Sequence, residues 1–393
     1  MPRTHTTHPF FASRRTGSVP YIVPSTESAT PQSSANGPQH QPPPHRVALR
    51  ILAFDAHQGT ASAAAAKAAN SQSETLLAKI TTTAASSTPF LVYASESIAI
   101  SESVIRCAIA NMFIGNTPIA TIKGKNNWEP LDLSFLLASK ESKAVQRIQC
   151  LLAFLDAQAS SPERTIIFER KKLPTVSARV NWTQSSTIPT QNVVLLPGPM
   201  ESSTASRFVH FSNKDLIHWK IGPYATQADI VMSCFPEALL VMSLLPHMAN
   251  NEALVIKNVL DLLLMDATQL TKKMDAFAES ISMRDMNKAW LAFSDSVTPV
   301  VTGHWGCGRF GGNRTHKFLQ QWMAASESGI QRLDYAMFGD KPLTLFWKRI
   351  LAAVAEKEWT VGKIVTQLLV RHKSMTADYE EFVARELGIS GPS

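Results

Sequence analysis

The chain has 393 residues, enough to bury a sizeable core in one large domain or two ordinary ones. Its 38 Lys and Arg against 31 Asp and Glu give a net charge of +7, yet no long basic run occurs. That balance argues against a protein reading nucleic-acid sequence and suits a polyanionic ligand or an ordinary solvated surface. No apolar run approaches the roughly 18 residues that would span a bilayer, so no membrane association is expected. The four cysteines, Cys107, Cys150, Cys234 and Cys307, lack metal-ligand spacing. They read as reduced core thiols of an intracellular protein, with no metal and no cofactor expected.

In chain order, residues 1–45 are rich in Pro, Ser, Thr, His and Gln, and bury too little to offset chain entropy. The alanines of residues 61–70 favour a helix by propensity alone. Residues 1–82 together read as a disordered, low-complexity region, whose Arg- and Ser-bearing start leaves mitochondrial targeting open beside a nuclear or cytoplasmic location. Residues 101–113 carry apolar groups at helical spacing, with Ser101 as the expected N-cap and Glu102 in the first turn. Residues 131–137 and 143–155 continue the helical character. Strands are predicted from Thr165 onward and over residues 192–196, 206–211, 253–256, 260–265 and 333–338. Helices are predicted over residues 236–248, 317–325, 344–356 and 361–371. Alternating strands and helices define an α/β layered domain behind a helical N-terminal extension.

Residues 302–313 are the most informative stretch. Gly303, Gly306, Gly308, Gly311 and Gly312 fall within ten residues of a chain holding only 17 glycines. Such a run permits positive φ and close approach of backbone to a ligand. An apolar run precedes it and a helix-like run follows, the order in which exposed N–H groups and a helix start cradle a phosphate or diphosphate. A tight structural turn is the alternative.

The loop Val301-Thr302-Gly303-His304-Trp305-Gly306-Cys307-Gly308-Arg309-Phe310-Gly311-Gly312 resembles the diphosphate loop of the poly(ADP-ribose) glycohydrolases, usually TGNWGCGAFGG. Residues 333–340 (LDYAMFGD) resemble that family's strand ending in Phe-Gly-Asp, and residues 359–369 its penultimate helix. Residues 262–267 resemble its strand carrying Ile-Asp-Ala. The resemblance runs from about Pro89 to Arg371. It implies a macrodomain-like mixed sheet between helices, residues 164–390, with an N-terminal helical accessory subdomain over residues 83–163. It also implies that Gly303, His304, Gly306, Cys307, Gly308, Phe310, Gly311 and Gly312 hold diphosphate, that Phe338 stacks on adenine, and that Asn213 and Gln227 contact ligand.

The family's catalytic signature is three glycines, a short spacer, then Gln-Glu-Glu. Setting Val209-His210-Phe211-Ser212-Asn213 on its Val-Asp-Phe-Ala-Asn places the triplet on Ile217-His218-Trp219 and Gln-Glu-Glu on Gln227-Ala228-Asp229. The resemblance makes the last of these the general acid that protonates a leaving ribose hydroxyl. Asp229 is one methylene short, withdrawing the carboxyl by roughly 1 Å, a shift that can cost on the order of a hundredfold in rate. Ala228 has no hydrogen-bonding group. Ile217, His218 and Trp219 put bulk where ligand would lie, and β-branched Ile217 resists positive φ. The family's tyrosine-bearing cover is also missing, because Lys257-Asn258 runs almost directly into residues 260–265. Asp229 reads rather as a helix-start residue favoured by the dipole and His210 and His218 as packed or solvent-facing histidines, while Phe338 reads equally as a packing residue.

The expected function is a family member with a degenerate catalytic motif, a pseudoenzyme binding ADP-ribose, poly(ADP-ribose) or a protein partner. Residual hydrolysis through Asp229 and a non-binding scaffold are the alternatives.

Overall fold

The computed structural model describes residues 97–113, 133–137, 139–157, 162–173, 180–216, 226–244, 247–294, 297–370 and 378–392. The region 1–82, with its Ala-rich stretch, and the Ile217-His218-Trp219 triplet lie outside the described residues. The chain divides into two compact units. Among the described residues one contains Ala99–Ile166 and Asp215–Pro246, the other Ser95–Ile98, Ile167–Lys214 and His247–Ser393.

The first unit is helical. Strand β1 (Ser97–Ser101) runs straight into α1 (Glu102–Phe113), and α2 (Ser142–Asp156) and α3 (Gln227–Cys234) follow. Apolar spacing builds its core: Ile105, Ile109 and Met112 of α1 are buried, as are Ile148, Leu151, Leu152 and Leu155 of α2. Two buried carboxylates, Glu102 and Glu237, share arginines. Arg106 and Arg164 bind Glu102 at 2.7 and 2.8 Å, and Arg164 reaches Glu237 at 2.8 Å. The expected cap of α1 differs. Ser101 closes the strand, and the Ser103 N–H is taken by the Glu163 carboxylate at 2.9 Å, sixty residues away. The helix expected over 236–248 is shorter: Pro236 starts a 3-10 turn to Leu240, a short helix Val241–Leu244 follows, and Met248 donates its N–H to the Lys214 carbonyl at 2.7 Å.

The second unit carries the sheet, in the order β1-β2-β5-β6-β4-β7-β8-β3. Its strands are β2 (Thr165–Lys172), β3 (Val193–Leu196), β4 (Arg207–Ser212), β5 (Glu252–Lys257), β6 (Asp261–Asp266), β7 (Val300–Thr302) and β8 (Leu333–Ala336). Strands β3, β4, β6, β7 and β8 are mutually parallel, whereas β5 is antiparallel to both β6 and β2. This is the mixed α/β sheet of a macrodomain-like fold. The continuous apolar run of β6 is buried throughout, as expected for a central strand covered on both faces. The β5–β6 hairpin turns on Asn258 at φ 70°, a conformation asparagine tolerates.

Helix α4 (Glu279–Phe293) crosses from β6 to β7, and α5 (Arg314–Ser328) from β7 to β8. They pack on one another, and α4 rests on β5 and β6. Helices α6 (Lys341–Glu356) and α7 (Tyr379–Leu387) follow, separated by a helical turn, Val361–Ile364, that widens into a π turn, Val365–Leu369. Phe318 lies between two indoles, stacked on Trp347 at 4.2 Å and on Trp322 at 5.8 Å, and Tyr335 meets Phe318 and Trp347 edge-on. The indole N–H groups of Trp182, Trp305, Trp322 and Trp347 all find acceptors, so burying them leaves no unmet donor.

Gly362 shows how tightly this unit closes. A Cβ there would stand 2.6 Å from the Ser185 carbonyl oxygen and 3.0 Å from that of Thr183, both backbone atoms. Gly362→Ala is expected to destabilise the protein by about 1–3 kcal/mol, read as a lower denaturant midpoint at constant m. An unchanged midpoint would contradict this packing.

Candidate functional site

Because β4, β6, β7 and β8 are parallel, their C-terminal ends share one edge of the sheet, where open α/β folds place ligands. Asn213 follows β4, Ala267 follows β6, the glycine loop follows β7 and Phe338 follows β8. The loop is folded by its own backbone. The N–H of Cys307 donates to the His304 carbonyl (3.1 Å), that of Gly311 to Gly308 (3.1 Å) and that of Gly312 to Gly306 (2.9 Å). The Leu270 N–H ties in from outside, to the Phe310 carbonyl at 3.0 Å.

Gly306 and Gly311 take φ of 74° and 75°. At Gly306 a Cβ would stand 2.5 Å from the Ala267 Cβ, so only glycine lets the loop lie against the end of β6. Among the described residues, the backbone N–H groups of Gly306, Gly308 and Phe310 find no protein acceptor. Helix α5 begins two residues beyond the loop, capped by Asn313, whose side-chain oxygen accepts from the His316 N–H at 2.8 Å. Three open donors beside a helix start are an arrangement able to receive an anion.

Loop side chains set its electrostatics. His304 lies against Tyr335, Phe338 and Trp347, with ring centroids 5.7–6.0 Å away. Burial, then Arg314, pushes its pKa down to about 4, so the ring is neutral at physiological pH. Burial pushes the Cys307 thiol up to about 12, which leaves it protonated and inert as a nucleophile. Phe338 is 39% exposed and held at φ 51°, costly for an aromatic residue. Its neighbours fix it: the N–H groups of Met337 and Gly339 donate to Leu196 and Pro197, both at 2.8 Å.

Beneath the loop lies an ionic cluster that sequence reading missed. Asp285 is fully buried and accepts from Lys317, from Arg284 at 2.7 Å and from the Thr268 hydroxyl at 2.9 Å. Burial pushes its carboxyl up, but Lys317 and Arg284 more than offset that and hold it below the usual carboxylate range. Asp266, the last residue of β6, binds Arg284 and Lys288. Burial lowers the Lys288 pKa to about 8 despite Asp266. Lys317 also sits 4.9 Å over the Trp305 ring, so one ammonium joins loop, helix α5 and helix α4. The available signal was residues 279–293, where Met283, Met286, Trp290 and Phe293 recur at helical spacing.

Asn213 lines a cleft of about 410 Å³ with Phe310, Thr268, Gln269, Asn250 and Arg284. The structure therefore brings Asn213 together with the loop. His210 is buried within β4, its Nδ1 2.7 Å from the Ser212 hydroxyl. Gln227 and Asp229 belong to the first unit, in the opening turn of α3. The Asp229 carboxylate accepts from the Thr226 N–H at 3.0 Å and hydroxyl at 2.6 Å, while its other oxygen lies 3.6 Å from Arg147. Thr226 caps α3 reciprocally, completing a capping box. Among the described residues no His, Cys, Asp and Glu cluster has metal-holding geometry, and no helix is long and apolar enough to cross a membrane.

Fold and site define a macrodomain-like protein with a glycine loop at the C-terminal edge of its parallel strands. A sequence profile described as poly(ADP-ribose) glycohydrolase (PARG), macro domain fold, matches residues 258–345, from the β5–β6 turn past β8. "Poly(ADP-ribose) glycohydrolase 1" of Caenorhabditis elegans is 21% identical over 289 residues, 61% of this chain and 37% of that protein. "Probable poly(ADP-ribose) glycohydrolase 2" and "Poly(ADP-ribose) glycohydrolase 1" of Arabidopsis thaliana are 40% and 36% identical over 70 residues, 18% of this chain and 13% of each. The chain is thus similar to poly(ADP-ribose) glycohydrolases over these stretches, and it spans well under half the length of these relatives.

The buried neutral His304 sets a pH dependence. Its ordinary pKa of 6.5 falls to about 4 on folding, so the folded state binds fewer protons. The stability this neutral ring contributes is present above pH 6.5 and lost as pH falls toward 4. His304→Asn should flatten the stability decline over that window, by at most about 3 kcal/mol, measured by denaturation at stepped pH. Parallel wild-type and variant curves would contradict the assignment.

Proposed function

We propose that the chain binds ADP-ribose, free or at the end of a poly(ADP-ribose) chain, by seating the diphosphate on the glycine loop, and does not cleave the polymer. The observation that carries this reading is the set of open N–H groups at Gly306, Gly308 and Phe310 beside the capped start of α5. The half-exposed Phe338 ring supports it as the surface against which adenine stacks, with His304 neutral behind it. Asn213 and Phe310, on a shared cleft, suit the adjoining ribose.

The Asp229 geometry supports the loss of hydrolysis. A general acid must hold a proton on an oxygen turned to the leaving group. One Asp229 oxygen accepts both Thr226 bonds and the other faces Arg147, so the carboxylate serves as a helix cap and ion-pair partner. Ala228 offers nothing to orient a ribose.

Calorimetric titration with ADP-ribose beside a poly(ADP-ribose) hydrolysis assay tests this. Gly308→Val is the informative variant, because a Cβ at Gly308 meets nothing within 4 Å and the substitution spares the fold. Wild type should bind, Gly308→Val should bind at least tenfold more weakly, and neither should release ADP-ribose from polymer. Release abolished by Asp229→Asn would establish a working hydrolase instead. Absence of wild-type binding would turn the reading toward a protein-interaction scaffold.

A further inference from the structure

The start of α7 closes on the exit of the glycine loop. Glu380, second in that helix, accepts from the Asn313 side-chain amide at 3.1 and 3.2 Å and from the Thr315 hydroxyl at 2.7 Å. Asn313 follows Gly311-Gly312 directly and caps α5 through its side-chain oxygen. Its amide is thus held at both ends: oxygen to the helix N–H, nitrogen to the Glu380 carboxylate. A flipped amide would set its oxygen against that carboxylate and leave the His316 N–H without its acceptor, so Glu380 fixes the cap in one orientation. Thr315 is fixed similarly, since its hydroxyl accepts from the Trp347 indole N–H at 3.0 Å.

Tyr379, beside Glu380, strengthens the clamp. Its ring stacks on Phe277 at 4.8 Å and meets His316 edge-on at 5.2 Å, and its hydroxyl donates to the Leu368 carbonyl at 3.0 Å. His316 in turn lies 3.2 Å from the Ser282 hydroxyl of α4. The surroundings are partly buried. Burial, then Asp378, raises the Glu380 pKa, partly offset by the bonds from Thr315 and Asn313. Hydrogen bonds in such a site are stronger than on an open surface.

We infer that Glu380 is a positioning residue for the anion site: by locking Asn313 and Thr315 it holds the first turn of α5, and with it Gly311 and Gly312, in the shape that receives a diphosphate. The inference rests on the proposed ADP-ribose reading, and adds that the C-terminal helix is part of the binding apparatus although it supplies no ligand contact. Ordering the loop before binding removes an entropic cost that would otherwise weaken affinity.

The test compares full-length wild type, Glu380→Ala, Glu380→Gln and Arg385→Ala, the last altering a largely exposed side chain of the same helix. Amide hydrogen exchange across residues 303–317, read without ligand, should speed up at least tenfold in Glu380→Ala and stay near wild type in the other two. ADP-ribose affinity should fall at least fivefold in Glu380→Ala, recover most of that in Glu380→Gln, which keeps an acceptor oxygen, and be unchanged in Arg385→Ala. Equal loop exchange in wild type and Glu380→Ala would overturn the inference whatever ADP-ribose does. Faster loop exchange with no ADP-ribose binding by wild type would uphold the clamp while refuting the ligand.

Discussion

The structure of the site depends on a buried charge pair, the Asp285 carboxylate and the Lys317 ammonium. Buried ions are costly unless each remaining lone pair and proton is met. Here Arg284 and Thr268 complete Asp285, Arg284 and Lys288 complete Asp266, and Lys317 lies over Trp305. The cluster spans β6, α4, α5 and the loop, so the backbone above it has one place to lie. Removing a single partner would strand a buried charge, a far larger penalty than the pair's net worth.

With that foundation set, the glycines follow. A Cβ on Gly306 would stand 2.5 Å from the Ala267 Cβ, and one on Gly312 would crowd the Gly306 carbonyl oxygen and the Lys317 Cε at 3.0 Å each. The loop's own carbonyls accept from Cys307, Gly311 and Gly312, while the N–H groups of Gly306, Gly308 and Phe310 find no acceptor among the described residues. A surface built this way attracts anions through fixed dipoles, with neutral His304 and protonated Cys307 adding no charge of their own. Binding needs only this preformed backbone. Under the proposed reading, cleavage would need an aimed proton as well, whereas the Asp229 oxygens accept from Thr226 and face Arg147.

The loop and its flanking strands were legible in the sequence because glycine clusters and continuous apolar runs each have one economical reading. Strands β2 to β6 and β8 fall within a few residues of their expected ranges for the same reason. Helix α4 was missed although Met283, Met286, Trp290 and Phe293 recur at helical spacing, because Asp285, Asn287 and Lys288 on its buried face mask that apolar period. Strand β1 is short and half exposed, and the π turn at Val365–Leu369 is a local widening no residue type announces. The bond from Glu380 to Thr315 spans 65 residues and belongs to tertiary packing alone. In the first unit the Glu163 cap on α1 has the same character, sixty residues from its partner.

The most direct measurement is an amide-resolved NMR titration of the isotopically labelled chain with ADP-ribose. The account predicts that the N–H signals of Gly306, Gly308 and Phe310 move furthest, downfield as each gains a phosphate acceptor, with His316 at the start of α5 moving less. Saturating ligand that leaves these signals in place, or shifts residues on another edge of the sheet, would contradict it.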